Sequence, residues 1–130
     1  AAEPVSASDR VLLLDTMGVL AGLYRLADVV FVGGSLVPYG GHNLVEPAYF
    51  EKPLLFGPWM ANFKEMAFEF KKAQGALEVK DAGDLEIEIR RFIREAERGK
   101  AMGAAAKKVI ACQRGATKRN SDAFLNAVHF

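Results

Sequence analysis

The chain has 130 residues, half of them apolar (51%) and a quarter charged (25%), with a net charge of +1. That length makes one domain at most, and the near-neutral charge supplies no bulk field for nucleic acid or anionic lipid. The single cysteine, Cys112, excludes an internal disulfide framework and fits a reducing compartment, and no apolar run reaches the roughly 20 residues that cross a bilayer.

Residues 1–10 show no apolar period and read as an arm. Val11-Leu12-Leu13-Leu14 reads as a short buried strand. Asp15 to Gly18 is a loop in which Asp15 or Thr16 can cap a helix. Leu20, Leu23, Tyr24, Leu26 and Ala27 then follow helical spacing up to Asp28. Val29 to Val32 is an unbroken apolar run, as suits a parallel strand buried on both faces.

Next comes Gly33-Gly34-Ser35-Leu36-Val37-Pro38-Tyr39-Gly40-Gly41-His42-Asn43-Leu44-Val45-Glu46-Pro47, with four glycines in its first nine residues. Glycine lets a backbone approach a ligand closely or take positive φ. A short helix is expected over Asn43 to Glu51, with Pro47 early enough to be tolerated. Pro53 to Phe56 is the third strand. Strand, glycine-rich loop, helix, strand presents backbone N–H groups to an anion, so the loop reads as a site for a small phosphorylated molecule.

After a loop over Gly57 to Asn62, Asn62 is placed to cap a helix to about Ala73, with Glu65 completing the cap. Ala76 to Val79 is an edge strand. Asp81 or Asp84 starts a helix to Arg98. Gly99 and Gly115 are read as breaks that separate two further helices, over about 101–113 and 117–128. Strands alternating with helices mean a parallel sheet covered by helices. The expected division is an arm over 1–10, an α/β core over 11–79 and a helical tail over 80–130.

Four ordered motifs carry a family resemblance. They are Asp15-Thr16-Met17-Gly18; Ala27 through Pro38; Gly40-Gly41-His42-Asn43-Leu44-Val45-Glu46-Pro47-Ala48; and Lys52 through Pro58 followed by Asn62-Phe63-Lys64-Glu65. In this order they resemble the C-terminal, donor-binding domain of the 3-deoxy-D-manno-octulosonic acid (Kdo) transferases of lipopolysaccharide assembly. The resemblance is strong over about Val11 to Val79 and weak in the tail.

It implies a Rossmann-like parallel sheet flanked by helices, part of the C-terminal domain of a two-domain, GT-B type glycosyltransferase. It implies transfer of Kdo from CMP-Kdo to a lipid A precursor at the cytoplasmic face of the bacterial inner membrane, by an inverting reaction without metal or cofactor. The base that deprotonates the acceptor belongs to an N-terminal domain outside these 130 residues, so the chain alone is expected to be inactive. Membrane contact is expected to be peripheral. In the implied strand order, 3-2-1-4-5-6, the Val11 strand is third and the first two lie outside this sequence. Val29 to Val32 then has an apolar free edge, a pairing liability. Either Val11 to Leu14 pairs onto it, or a second copy does.

The candidate donor-binding residues are Met17, Gly18, Val19, Gly40, Gly41, His42, Asn43, Leu44, Val45, Glu46 and Asn62. Backbone amides at the start of the Asn43 helix suit the phosphate. The Asn43 side chain either adds a donor or caps the helix. Glu46 is a two-oxygen acceptor suited to ribose hydroxyls, as the resemblance favours, or the acid of a capping box. Met17 to Val19 form the turn after the first strand, at the sheet edge where ligands collect. Val19 stands where the family usually has Glu, which leaves a backbone role there. His42 either touches the ligand or orients the loop; with no second His or Cys nearby, zinc is not expected. Lys64 and Trp59 each have a ligand reading and a surface reading. Lys107, Lys108, Arg114, Lys118 and Arg119 either meet lipid headgroups or are interspersed surface charge. Two other functions remain open: another GT-B transferase using a nucleotide-diphosphate sugar, and a non-catalytic interaction domain.

Overall fold

The computed structural model describes residues 4–127, with side chains described through Gly115. Three parallel strands, β1 (Val30–Val32), β2 (Leu54–Phe56) and β3 (Leu77–Glu78), lie in the order β1-β2-β3. Val30 pairs with Leu54 and Leu55 with Leu77. Short parallel strands need helical crossovers, and the chain supplies them. The helices are α1 (Leu20–Leu23), which runs into a 3-10 turn over Tyr24–Leu26, then α2 (Val45–Tyr49) and α3 (Lys64–Lys72). They end with α4 (Ala82–Arg94) and α5 (Ala96–Ala127).

Strand alternation sends side chains to two faces, each with its own core. Val30, Val32, Leu54 and Phe56 face α2, α3 and α5, where Leu44, Ala48, Phe70, Ala106 and Ile110 close the layer. Leu55 and Val79 face α4 through Phe92, with Phe31 and Met102 packed alongside. Glu88, on α4 and 8% exposed, takes Arg91 at 2.7 Å and Arg98 at 3.4 Å, tying α4 to α5.

Three expectations are corrected. Val11 to Leu14 forms no strand: Val11 and Leu13 are 86% and 85% exposed. The run is apolar enough for a core but has no sheet neighbour here. It does not pair onto β1, so β1 ends the sheet with one edge unpaired among the described residues. Asn62 does not cap α3. It sits in a 3-10 turn over Ala61–Phe63, and the helix starts at Lys64 without a side-chain cap. Neither Gly99 nor Gly115 breaks a helix; the interruption falls at Glu95, and α5 runs on to Ala127. Gly99 is there for packing, since a Cβ would sit 2.8 Å from Pro53 Cγ. Gly103 lets α5 press onto the Glu51 backbone in the same way.

Other boundaries agree with the sequence. Asp81 caps α4: its Oδ1 accepts the Asp84 amide at 2.8 Å while Asp84 Oδ2 accepts the Lys80 amide at 3.0 Å. α3 ends where Gln74 takes φ 59° and the Gly75 amide reaches back to the Phe70 carbonyl at 2.8 Å.

Candidate functional site

The long loop after β1 folds over the carboxyl ends of β1 and β2, the side of an open parallel sheet where ligands bind. Ser35, fully buried, holds it there. Its hydroxyl donates to the Val32 carbonyl and accepts the Gly57 amide at 2.8 Å. Its carbonyl accepts the Trp59 amide at 2.9 Å. Ser35 is not among the sequence-predicted site residues; its signal in the sequence is a small hydroxyl residue at the mouth of an apolar strand, matched by the Gly57-Pro58 turn after the next strand.

Gly34, Gly40 and Gly41 take φ of 67°, 89° and 74°, the left-handed region that glycine enters freely. The Gly41 amide donates to the Gly34 carbonyl at 2.9 Å, closing the loop on itself. The Gly40 carbonyl accepts the Asn62 amide at 3.1 Å, and the Asn62 side chain lies where a Cβ on Gly40 would go. A Cβ on Gly41 would meet Met60 Sδ. The two glycines therefore serve packing between the loop and the turn after β2, beside any ligand role.

His42 is exposed, with its Nε2 3.3 Å from the place of a Cβ on Gly34. Asn43 Oδ1 accepts the Val45 amide at 2.8 Å, so the side chain takes the capping role. That commits the Val45 N–H and leaves those of Asn43, Leu44 and Glu46 as candidate phosphate donors. The helix is shorter than expected, starting at Val45, and Leu44 is fully buried in the core. Glu46 is exposed, and its carboxylate has no hydrogen-bond or ion-pair partner among the described residues, so no capping box forms. Its charge still reaches Tyr24. Burial first, and Glu46 second, push the Tyr24 phenol above its ordinary value of 10.0.

The structure thus brings Gly40 through Glu46 and Asn62 together. It does not bring Met17 to Val19 into that cluster by any hydrogen bond. Met17 is 98% exposed, Gly18 has φ 85°, and the Val19 carbonyl accepts the Gly22 amide at 3.1 Å. The link from that segment to the loop runs through Tyr24, whose ring stands 6.1 Å from Phe50 at the end of α2. An open groove of about 420 Å³ adjoins the site, lined by Pro58, Trp59, Met60 and Lys64 among others.

No family model matches the sequence. Among curated proteins, it is 39% identical over 114 residues to the 3-deoxy-D-manno-octulosonic acid transferase of Haemophilus influenzae, covering 87% of this chain and 27% of that protein. The enzyme of the same description from Bordetella pertussis is 39% identical over 113 residues, covering 87% and 26%. The chain is a relative of the Kdo transferases. A solved structure, the C-terminal CMP-Kdo binding domain of WaaA from Acinetobacter baumannii, superimposes with a TM-score of 0.71 at 37% identity. It covers 75% of this chain and 51% of that one. The fold is accordingly that of part of a GT-B C-terminal domain. The chain spans about a quarter of the length of these curated Kdo transferase relatives.

Proposed function

We propose that this chain is the donor-binding part of a Kdo transferase, and that its glycine-rich loop holds CMP-Kdo. The observation that carries the reading is the cluster of Gly40 through Glu46 and Asn62 at the carboxyl ends of β1 and β2, in a chain related to proteins of that activity. The departing group in such a transfer is a nucleoside monophosphate, which gains charge as the sugar leaves. Fixed N–H dipoles aimed at it lower the barrier because they need no reorganisation. The amides of Asn43, Leu44 and Glu46 are the candidate donors, with Asn43 Oδ1 holding the turn rigid through Val45. The unpartnered Glu46 carboxylate suits two ribose hydroxyls. His42 and Asn62 flank the same loop.

In this reading the acceptor is a lipid A precursor. An N-terminal domain supplies the base, the reaction needs no metal, and the whole enzyme works at the cytoplasmic face of the inner membrane. None of the helices among the described residues is long and apolar enough to cross a membrane. The unpaired edge of β1 is a site for strands of this same sheet that lie outside these 130 residues, or for self-association.

Calorimetric titration with CMP, CMP-Kdo, UDP and a UDP-sugar tests the donor. Heat with the cytidine monophosphate ligands and none with the uridine diphosphate ligands is expected. The reverse preference points to a nucleotide-diphosphate sugar, and no heat with any ligand points to an interaction domain.

A further inference from the structure

Cations at two places on this chain are held differently, although Arg98 also lies 4.8 Å over the Phe92 ring. On α4 and the start of α5, Arg90, Arg91, Arg98 and Lys100 each have a carboxylate within 3.4 Å. Around the end of α2 the arrangement differs. Arg25 lies 5.6 Å over the Phe50 ring, and Lys107 and Arg114 lie 5.9 and 5.7 Å from the Tyr49 ring centre. Tyr49 and Phe50 meet edge to face at 5.3 Å. Five side chains from three separate segments therefore form one continuous array. The carboxylate in contact with it is Glu51, 3.6 Å from Lys107. Arg25 and Arg114 have no ion-pair partner among the described residues.

We propose that this array is a docking surface for an anionic phospholipid bilayer. A cation resting on a ring keeps most of its N–H donors directed outward, where a phosphate can take them. Lys107 and Arg114 are two helical turns apart and share one face of α5. Tyr49 is 49% exposed, and Leu26, next to Arg25, is 80% exposed. An apolar side chain beside a cation, with a tyrosine alongside, is the combination that settles at headgroup level. With its ring already engaged by two cations, Tyr49 is better placed to present charge than to stack a base. With a net charge of +1, any attraction to an anionic surface must come from this local array and not from the chain as a whole. The surface stands independently of the donor-binding reading.

Flotation of the 130-residue chain with vesicles tests it, comparing phosphatidylglycerol/phosphatidylcholine mixtures with phosphatidylcholine alone. Binding to the anionic vesicles is expected, weakening as salt rises. Each basic residue at an anionic surface contributes about fivefold to partitioning, so Lys107→Glu/Arg114→Glu should lose at least about 25-fold. Arg25→Glu should lose about fivefold or more. Arg90→Glu, on a cation already paired with Glu86, should change little. Circular dichroism checks each fold; should a reversal unfold the chain, Lys107→Gln/Arg114→Gln gives the same reading with a smaller loss. Equal binding to neutral vesicles, no vesicle binding, or equal loss in Arg90→Glu overturns the proposal. So does binding that goes to a single-stranded RNA homopolymer instead of vesicles.

Discussion

The amide of Gly57 donates to the hydroxyl of Ser35 across 2.8 Å, joining the exits of two neighbouring strands, and both residues are buried. A Cβ on Gly57 would land on the Ser35 carbonyl. The glycine-rich loop is therefore anchored to the sheet at a point with no room and no solvent.

Ser35→Ala should destabilise the chain by about 1–3 kcal/mol, because the buried Gly57 N–H loses its acceptor and water cannot replace it. The midpoint of urea unfolding should fall with an unchanged slope. An unchanged midpoint would mean that Gly57 finds another partner and that Ser35 is not the anchor.

Tyr24 links the loop to pH. Its folded-state value is raised above the 10.0 of an unfolded tyrosine, by burial first and by Glu46 second. A raised value stabilises the fold fully below the unfolded one, and that stability is lost as pH climbs from about 10 through the folded value. Glu46→Gln removes the second cause, so Tyr24 should titrate closer to 10.0 yet remain above it. Ultraviolet titration of tyrosinate, with Tyr24→Phe to isolate the signal, reads the change. A Tyr24 unmoved by Glu46→Gln would show that the carboxylate does not face the phenol.

The same Glu46→Gln substitution, placed in an intact transferase containing this domain, should weaken donor use by about 1.5–3 kcal/mol with little loss of stability. The amide offers one accepting atom where the carboxylate offers two. Steady-state kinetics in CMP-Kdo against melting temperature separates the roles. Normal kinetics with a lowered melting point would make Glu46 a purely structural residue.

Gly41→Ala should lower stability by about 1–3 kcal/mol, the strain of an alanine held at positive φ, before any donor effect is counted. The new methyl also meets Met60 Sδ in a buried contact. Urea unfolding measures the stability part, and CMP titration of the folded variant measures the ligand part. Full stability in Gly41→Ala would mean that the loop relaxes away from Met60.

β1 and β2 are legible in the sequence because each is a short apolar run bounded by glycine, proline or charge, and β3 because Leu77 and Val79 alternate with Glu78 between Gly75 and Lys80. Asp81 at the head of α4 was legible for the same reason: a local rule acts on local residues. Val11 to Leu14 was misread because its burial depends on neighbours that the run itself does not specify. Asn62 was misread because the Gly40 carbonyl and the Gly40 Cα surface compete for it, and that contact joins residues 22 apart in the chain. Ser35 was missed for a similar reason, since its partner Gly57 also lies 22 residues away. Within the site, the order Gly40 through Glu46 was readable, whereas the choice of Asn43 as cap and Glu46 as unpartnered carboxylate needed the fold.

The glycines of α5 show the same limit and supply a test of sign. Helix propensity says that Gly→Ala in a helix interior stabilises by about 1 kcal/mol. That rule should hold at Gly115, where an added Cβ meets no described residue within 4 Å. It should reverse at Gly99 and Gly103. An alanine at Gly99 meets Pro53 Cγ at 2.8 Å, and one at Gly103 meets the carbonyl of Glu51. Glu51 already sits at φ 57°, and a backbone carbonyl cannot turn aside as a side chain can. Relief requires α5 to move off α2, at an expected net loss of about 1–3 kcal/mol, larger at Gly103 than at Gly99. Thermal unfolding of the three single variants decides it. If all three are stabilised, the glycines are ordinary weak points of a long helix and the close approach of α5 to α2 is wrong. If only Gly115→Ala is stabilised, Gly99 and Gly103 are the contact points that seat α5 against Pro53 and Glu51 and hold the end of α2 in place.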